Sequence, residues 1–229
     1  MKLAIATRCD SNITEMTSMT HPIMKAYAAA CGADFIELTE DSDCNVGHGR
    51  YHYKIMQVGD LLEKYDRVLN LDSDILINHN CPNLFDVVPV NCIGGIYEDK
   101  GSRESDRHER IKKIQNKFGD IGWTEGYPNT GVFMASKEHK NIFEKINGKY
   151  WTETGFDDAH LGYQIIKNNH CFYELSFQHN NLSMFSEEWN GYPDRFESFI
   201  IHYAGAGIFE GGVYSRLEQI KKDKDRLGL

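Results

Sequence analysis

The first third of the chain alternates short apolar runs with longer amphipathic stretches, and this alternation constrains its fold most. Apolar runs at residues 3–6, 34–38 and 68–71 predict three short buried strands. Between them, residues 22–31, with Pro22 in the first turn and Gly32 as the stop, and residues 51–62 predict helices. This strand–helix order predicts an α/β fold with a mostly parallel central sheet and helices on both faces.

The rest of the chain continues the same alternation less regularly. It predicts strands at residues 91–96, 131–135 and 199–201, and helices at residues 103–118, 137–146, 157–167 and 214–227. Another short apolar run, at residues 75–77, follows the third strand, and residues 41–49 are polar and predict a loop. Because no repeat or clear linker interrupts the pattern, residues 1–229 are predicted to form a single domain.

Charge and composition exclude several classes of protein. A net charge of −9 disfavours binding to nucleic acid or to an anionic membrane, since both attract a basic surface. No stretch reaches the ~18–20 apolar residues of a transmembrane helix, and the N-terminus lacks the features of a signal peptide. The six cysteines include no C-x-x-C pair and are predicted to be free thiols. We therefore expect a soluble cytoplasmic protein.

Two carboxylates lie where the third predicted strand ends. Asp72 and Asp74 follow the apolar run at residues 68–71 and precede the run at residues 75–77. In parallel α/β sheets, ligands bind outside the carboxyl ends of the strands. Paired carboxylates there suit a hard divalent cation whose shell is completed by phosphate oxygens. The alternative is a solvated polar turn, but the apolar runs on both sides favour the metal site.

A histidine follows the last predicted strand. His202 comes directly after the apolar run at residues 199–201, and Gly205 and Gly207 follow it. Histidine can complete a Mn²⁺ site, and glycines let the backbone approach a bound phosphate closely. Taken alone, the pattern favours a buried core histidine before a flexible turn.

Two further polar pairs adjoin predicted elements. Asn129 and Thr130 precede a buried strand, where amide and hydroxyl groups suit sugar hydroxyls, although the pattern by itself favours an ordinary turn. Asp157 and Asp158 open a predicted helix. Helix capping explains one aspartate at such a position, and the second is left as a candidate for contact with a sugar or an acceptor hydroxyl.

Together and in this order, the four patterns resemble the GT-A glycosyltransferases, particularly the glycogenin-like and galactosyltransferase-like members, over about residues 3–207. The resemblance implies a GT-A fold, which is a Rossmann-like nucleotide-diphospho-sugar transferase architecture. It implies a nucleotide-binding half at residues 1–96 and an acceptor-side half at residues 97–229. The implied reaction is metal-dependent transfer from a nucleotide diphosphate-sugar, with a UDP-sugar favoured, to a hydroxyl of a glycan or glycoprotein.

The resemblance also implies roles for individual residues. Asp72, Asp74 and His202 would bind Mn²⁺ or Mg²⁺, and Asp157 and Asp158 would be catalytic. The implied donor-binding residues are Ala6, Thr7, Arg8, Lys54, Asp72, Ser73, Asn129, Thr130 and Gly205. The sequence departs from the glycogenin-like pattern at residues 208–210, where Ile-Phe-Glu replaces Lys-Pro-Trp, so the choice between retaining and inverting chemistry stays open.

Two alternatives to a transferase remain. Phosphohydrolases of the haloacid-dehalogenase type also carry D-x-D after a strand, usually the first strand of the chain, whereas here the motif follows the third. A sugar-nucleotide-binding module without turnover would keep the same fold. Release of nucleotide diphosphate from a sugar nucleotide in the absence of acceptor distinguishes the three.

Overall fold

The computed structural model describes residues 1–39, 50–182, 186–205 and 215–229. The predicted loop at residues 41–49, Gly207 and the departure at residues 208–210 lie outside the described residues.

Nine strands and six α-helices make up the described fold. The strands are β1 Leu3–Arg8, β2 Asp34–Leu38, β3 Arg67–Leu71, β4 Ile75–Ile77, β5 Cys92–Tyr97, β6 Pro128–Ser136, β7 Cys171–Glu174, β8 Asn181–Leu182 and β9 Ile200–His202. The helices are α1 Thr14–Cys31, α2 Val58–Leu61, α3 Leu84–Val87, α4 Glu104–Phe118, α5 Phe156–Lys167 and α6 Arg216–Leu227. Short 3₁₀ helices lie at Ser11–Ile13, Arg50–Gln57, Gly101–Arg103, Lys137–Phe143, Phe177–His179, Glu188–Asn190 and Arg195–Glu197.

The central sheet has six strands in the order β2-β1-β3-β6-β5-β7. β1 is parallel to β2 and β3, and β5 is parallel to β7. β6 runs antiparallel to both of its neighbours and is buried along its whole length, as expected for a strand covered on both faces. The predicted, mostly parallel sheet is therefore confirmed, with β6 as the exception.

Successive residues of the central strands point to opposite faces of the sheet. Val68 packs in one apolar cluster with Leu161 and Ile165 of α5, whereas Leu69 packs in another with Met24 of α1. Helices thus cover both faces. A second sheet, in the order β4-β9-β8, lies beside the first and pairs β4 antiparallel with β9.

Helix α1 is longer than predicted. It begins at Thr14, so Pro22 lies inside the helix rather than in its first turn. A proline there removes one backbone hydrogen bond at a cost of about 3 kcal/mol. The buried stripe of Met16, Thr20 and Met24, spaced by four residues, extends the apolar face through the proline and offsets that cost.

Two predicted helices are wound more tightly than expected, and two strands were not predicted. Residues 51–62 form a 3₁₀ helix followed by the single turn α2, and residues 137–146 form a 3₁₀ helix only to Phe143. β7 is largely exposed and β8 has two residues, so neither has an apolar run that the sequence could reveal.

The prediction of free thiols is wrong for two of the cysteines. Cys92 and Cys171 are register partners on the parallel strands β5 and β7 and form a disulfide. Cys9, Cys31 and Cys81 are free. The disulfide removes the argument that placed the chain in a reducing compartment. In the described parts of the chain, every helix is too short or too polar to cross a membrane.

Candidate functional site

A cleft of about 480 Å³ opens at the edge of the central sheet where β1 and β3 end and β6 begins. Both parallel strands deliver their carboxyl ends to this edge, which is where α/β sheets bind ligands. Its lining residues are Arg8, Tyr51, His52, Asp72, Asp74, Glu98, Arg103, Arg107, Asn129, Thr130, Gly131, Asp157, Asp158, His202, Ala204, Gly205 and Arg216.

The turn after β3 is held by hydrogen bonds from three directions. The backbone N–H of Asp72 donates to the carbonyl of Gly131 at 2.8 Å. The Ser73 hydroxyl donates to the carbonyl of Arg8 at 2.7 Å, and the Thr20 hydroxyl donates to the carbonyl of Ser73 at 2.7 Å. Ser73 therefore fixes the turn from its buried side, and the flanking carboxylates are presented to the cleft.

Strand pairing brings His202 to this turn. Because β4 pairs with β9, Ile75 lies opposite His202, and the imidazole reaches both aspartates. His202 Nε2 lies 3.4 Å from Asp72 Oδ2 and 3.5 Å from Asp74 Oδ1. Asp72, Asp74 and His202 form what we call the Asp-Asp-His cluster, whose ligand atoms all lie within 4.8 Å of one another.

The Asp-Asp-His cluster has the donor set of a divalent cation site. Two carboxylate oxygens and one imidazole nitrogen suit a divalent cation, and the other ring nitrogen, Nδ1, is hydrogen-bonded to Asn180 Oδ1 at 2.8 Å. A hydrogen bond of that kind orients histidine ligands in metalloproteins. These residues therefore fit a divalent cation.

The closely packed charges of the Asp-Asp-His cluster shift the pKa values of Asp72 and His202. Burial alone would lower the pKa of His202, but hydrogen bonds to Asp72 and Asp74 raise it to about 9. Burial would raise the pKa of Asp72, but the hydrogen bond and charge of His202 lower it below its usual range. A bound cation must therefore displace a proton from His202.

Arg216, from α6, closes the cluster from the other side. One of its guanidinium nitrogens lies 2.7 Å from Asp74 Oδ2, and another donates to the carbonyl of Gly205. The arginine thus links the end of the second sheet to the turn that carries Asp72 and Asp74. Nothing in the sequence around Arg216 marked it, because α6 is otherwise an ordinary charged helix.

Gly131 is required because the His202 ring packs directly against its Cα. A Cβ built on Gly131 would lie 2.2 Å from His202 Cε1 and 2.7 Å from His202 Nδ1. No side chain fits at these distances, so the glycine of the Asn-Thr-Gly-Val stretch provides space for the histidine.

Asp157 and Asp158 converge on Thr130. The Thr130 hydroxyl lies 2.9 Å from Asp157 Oδ2 and 2.8 Å from Asp158 Oδ1, and the Thr130 backbone N–H donates to Asp158 Oδ1 at 2.9 Å. A hydroxyl has one proton, so it can donate to only one of the two carboxyls. The other contact becomes a hydrogen bond when one aspartate is protonated.

The electrostatics place this proton on Asp158. Burial, followed by the charges of Asp157 and Glu98, raises the pKa of Asp158 to about 8. Asp157 instead lies 3.3 Å from His52 Nδ1. Burial lowers the pKa of His52, but the hydrogen bond and charge of Asp157 raise it overall. The pair therefore combines a carboxyl that retains its proton near neutral pH with a carboxylate that faces a histidine.

The helix-capping interpretation of these aspartates is wrong. The N-cap of α5 is Gly155, with φ of 84°, and no side chain caps the helix. Both aspartates lie in the first turn, and the contacts described above direct them toward β6 and the 3₁₀ helix Arg50–Gln57.

Glu98 and two arginines form a charged group that the sequence analysis missed. Glu98 is buried, and its carboxylate accepts three hydrogen bonds. The donors are the guanidinium of Arg103, Nε of Arg107 at 2.5 Å and Nδ2 of Asn129 at 3.2 Å. Arg103 and Arg107 lie four residues apart in a run that was expected to be solvated. That spacing places them on one side of the helix, and it was the available sequence signal for a shared partner.

Several predicted donor-binding residues do not line the cleft. Ala6, Thr7, Lys54 and Ser73 are almost completely buried. The Lys54 ammonium donates to the carbonyl of Thr39 at 2.7 Å and lies 3.3 Å from Asp10 Oδ1. Lys54 therefore connects the 3₁₀ helix to the ends of β1 and β2.

A stack of side chains forms one wall of the cleft. The Arg8 guanidinium lies 4.5 Å from the ring centre of Tyr51, which lies 4.3 Å from that of His52. His52 in turn stacks on Phe156 at 4.5 Å, with the two rings nearly parallel. Arg8, which was predicted, and Tyr51 and His52, which were not, are thus held as one unit.

No known protein-family model and no curated protein sequence matches this chain. Solved structures do. The chain is similar to a glycosyltransferase involved in the glycosylation of the major capsid of PBCV-1, with 14% identity, a TM-score of 0.61, and coverage of 97% of this chain and 100% of that chain. It is similar to the galactosyltransferase LgtC in complex with donor and acceptor sugar analogs, with 16% identity, a TM-score of 0.58, and coverage of 99% and 96%.

Mouse xyloside xylosyltransferase 1 is a third similar structure, with 12% identity, a TM-score of 0.52, and coverage of 91% of this chain and 100% of that chain. These likenesses span nearly the whole chain. They show that it has the GT-A glycosyltransferase fold.

Proposed function

We propose that the protein is a metal-dependent glycosyltransferase that moves a sugar from a nucleotide diphosphate-sugar, with a UDP-sugar favoured, to a hydroxyl of a glycan or glycoprotein. The observation that carries this proposal is the Asp-Asp-His cluster, which lies in the same cleft as Asp157 and Asp158. The similar structures include a glycosyltransferase involved in the glycosylation of the major capsid of PBCV-1 and a galactosyltransferase in complex with donor and acceptor sugar analogs, which supports a sugar donor and an acceptor.

The Asp-Asp-His cluster is the proposed cation site, for Mn²⁺ or Mg²⁺. When bound, the cation neutralises the negative charge that grows on the departing nucleotide diphosphate. Asp72, Asp74 and His202 hold it, and Arg216 adds a positive charge beside the same turn. Gly205, whose carbonyl Arg216 binds, lines the cleft next to the proposed diphosphate position.

The Asp157–Asp158 pair is the proposed sugar-side half of the site. Asp157 lies against His52 and is placed to accept a hydrogen bond from a sugar hydroxyl. Asp158, whose pKa is raised to about 8, would act as a general base in its ionised form, so a base role predicts a transfer rate that rises with pH up to about 8. Thr130 fixes both carboxyls through its hydroxyl.

The proposed division of labour follows the order of the chain. Residues 1–96 supply β1, β3 and the metal-binding turn, and are assigned to the nucleotide. Residues 97–229 supply Glu98, Thr130 and α5, and are assigned to the acceptor side, except for His202, Gly205 and Arg216, which lie at the proposed cation and diphosphate positions. β6, from the second half, pairs with β3, from the first half. Because the two halves share one sheet, we assign them to a single domain rather than to two separate domains.

The proposal is tested by incubating the protein with UDP-sugars and Mn²⁺ and measuring the release of UDP without acceptor. We expect slow release that EDTA abolishes and that Asp74→Asn reduces at least ~100-fold. Asp99→Asn is the matched control, because Asp99 is a buried carboxylate that accepts backbone N–H groups and does not line the cleft.

Three outcomes would count against the proposal. Unchanged UDP release in EDTA would show that the reaction does not depend on a metal ion. Preferential cleavage of simple phosphomonoesters would favour a phosphohydrolase. Tight binding of UDP-sugar with no release of UDP, and no transfer to any of a panel of glycans, would favour a binding module.

A further inference from the structure

A continuous line of buried hydrogen bonds connects the α4 side of the cleft to the Asp-Asp-His cluster. Asn129 Nδ2 donates to Glu98 Oε2 at 3.2 Å, Asn180 Nδ2 donates to Asn129 Oδ1 at 2.8 Å, and Asn180 Oδ1 lies 2.8 Å from His202 Nδ1. Glu98, Asn129, Asn180 and His202 are each at most 8% exposed. We call this line the amide relay.

The direction of the relay is set at its Glu98 end. Arg103 and Arg107 bind Glu98, so its carboxylate accepts hydrogen bonds and cannot donate one. The amide nitrogen of Asn129 must therefore face Glu98. The backbone N–H of Gly131, which can only donate, contacts Asn129 Oδ1 at 3.0 Å and independently requires the same orientation.

The same logic passes along the relay to the histidine. Asn129 Oδ1 accepts, so the amide nitrogen of Asn180 must face it, and Asn180 Oδ1 is then left facing His202. An amide oxygen only accepts, so Nδ1 of His202 must carry a hydrogen. When the ring is neutral, its lone pair is consequently on Nε2, the nitrogen nearest to Asp72 and Asp74.

We propose that Glu98, Asn129 and Asn180 are positioning residues that hold His202 in the Nδ1–H tautomer, with the Nε2 lone pair directed at the cation site. The inference rests on the proposed function for the identity of that site. It also gives Glu98 a role: one buried carboxylate, neutralised by two cleft arginines, orients every amide between itself and the metal ligand.

The direct test compares the affinity of three variants for Mn²⁺ alone, measured from the electron paramagnetic resonance signal of the free ion. Asn180→Leu removes the acceptor for Nδ1–H and should weaken Mn²⁺ binding by about 10- to 100-fold. Asn181→Leu is the matched control, because Asn181 is equally buried and adjacent but donates to the Ser198 hydroxyl instead. It should bind Mn²⁺ within about threefold of the parent.

A conservative variant separates positioning from simple loss of packing. Asn180→Asp keeps an oxygen acceptor opposite His202 Nδ1 but loses the donor to Asn129 Oδ1. It should therefore lower Tm and still retain Mn²⁺ affinity within about threefold of the parent, since carboxylates also orient histidine ligands. Equal losses in Asn180→Leu and Asn181→Leu, or parent-like binding by Asn180→Leu, would overturn the inference.

A second readout requires neither metal nor a variant. At a pH high enough for the His202 ring to be neutral, ¹⁵N chemical shifts of the parent report its tautomer directly. We expect hydrogen on Nδ1, and hydrogen on Nε2 would refute the relay. If the parent shows the Nδ1–H tautomer but never binds Mn²⁺, the proposed metal function fails while the relay stands.

Discussion

Replacing Gly131 with Ala tests whether the position of His202 decides cation binding. The added methyl group would lie 2.2 Å from His202 Cε1, whereas ordinary van der Waals contact begins at 3.4 Å. The ring or the β6 backbone must therefore move by about 1.2 Å, the difference between these distances. The His202 ring cannot move freely, because Asn180 contacts its Nδ1 and the two aspartates contact its Nε2.

The size of the effect follows from that displacement. A shift of this size away from Asn180 would lengthen the 2.8 Å contact at Nδ1 to about 4 Å, beyond hydrogen-bonding distance. Overpacking of this kind costs about 1–3 kcal/mol. For a chain of this length, 2 kcal/mol corresponds to a fall in Tm of about 4–8 °C. Loss of the orienting bond should weaken Mn²⁺ binding by about 10- to 100-fold.

Calorimetric titration with Mn²⁺ and thermal unfolding measure the two effects of Gly131→Ala separately. Gly95→Ala is the matched control, because its Cβ would crowd only the tip of the Phe172 ring at 3.2 Å, which can shift. The backbone oxygens of Val132 and Asn129, at 3.4 Å and 3.6 Å, are at ordinary contact distances. The control should lose some stability and no Mn²⁺ affinity. A Gly131→Ala protein with parental Mn²⁺ affinity and Tm would refute the close packing of His202 on β6.

Three further predictions concern residues away from the cation. Asp158→Asn should reduce transfer at least ~100-fold. Because the raised pKa of Asp158 makes the parent lose stability as pH rises from 3.8 to about 8, calorimetry should show a fall in Tm over that range in the parent and not in the variant. Burial lowers the pKa of His160 from 6.5 to about 4, so the folded state resists protonation; urea unfolding should show about 2 kcal/mol lost between about pH 7 and pH 5, and not in His160→Gln. Cys92→Ser should lower the free energy of unfolding by about 4 kcal/mol, because the disulfide to Cys171 spans 79 residues, and the loss should disappear when both proteins are reduced.

The parts of the fold that depend on local patterns could be predicted from the sequence. β2 matches its predicted range of 34–38, and β1 and β3 differ from theirs by one or two residues. Buried central strands consist of uninterrupted apolar residues, so their positions are visible locally. The D-x-D pair could be placed at a strand end for the same reason.

The parts of the fold that depend on pairing between distant segments could not be predicted from the sequence. Nothing in the apolar run of β9 specifies that it pairs with β4, which is what brings His202 to Asp74. The disulfide between Cys92 and Cys171 likewise requires knowing that β5 and β7 are neighbours. Glu98 was overlooked because a single glutamate after a strand is unremarkable until Arg103 and Arg107 are seen to bury it.

Asn129 shows why a motif residue need not touch the substrate that its motif implies. Its amide nitrogen is engaged by Glu98, and its oxygen accepts from Gly131 and Asn180. An asparagine side chain has two N–H donors and one oxygen with two lone pairs, so three of its four hydrogen-bonding positions are already used within the protein. The same polar residue type satisfies a sugar hydroxyl or a buried relay equally well. The partners of the side chain distinguish the two cases, and the three partners of Asn129 within the protein support its proposed role in positioning His202.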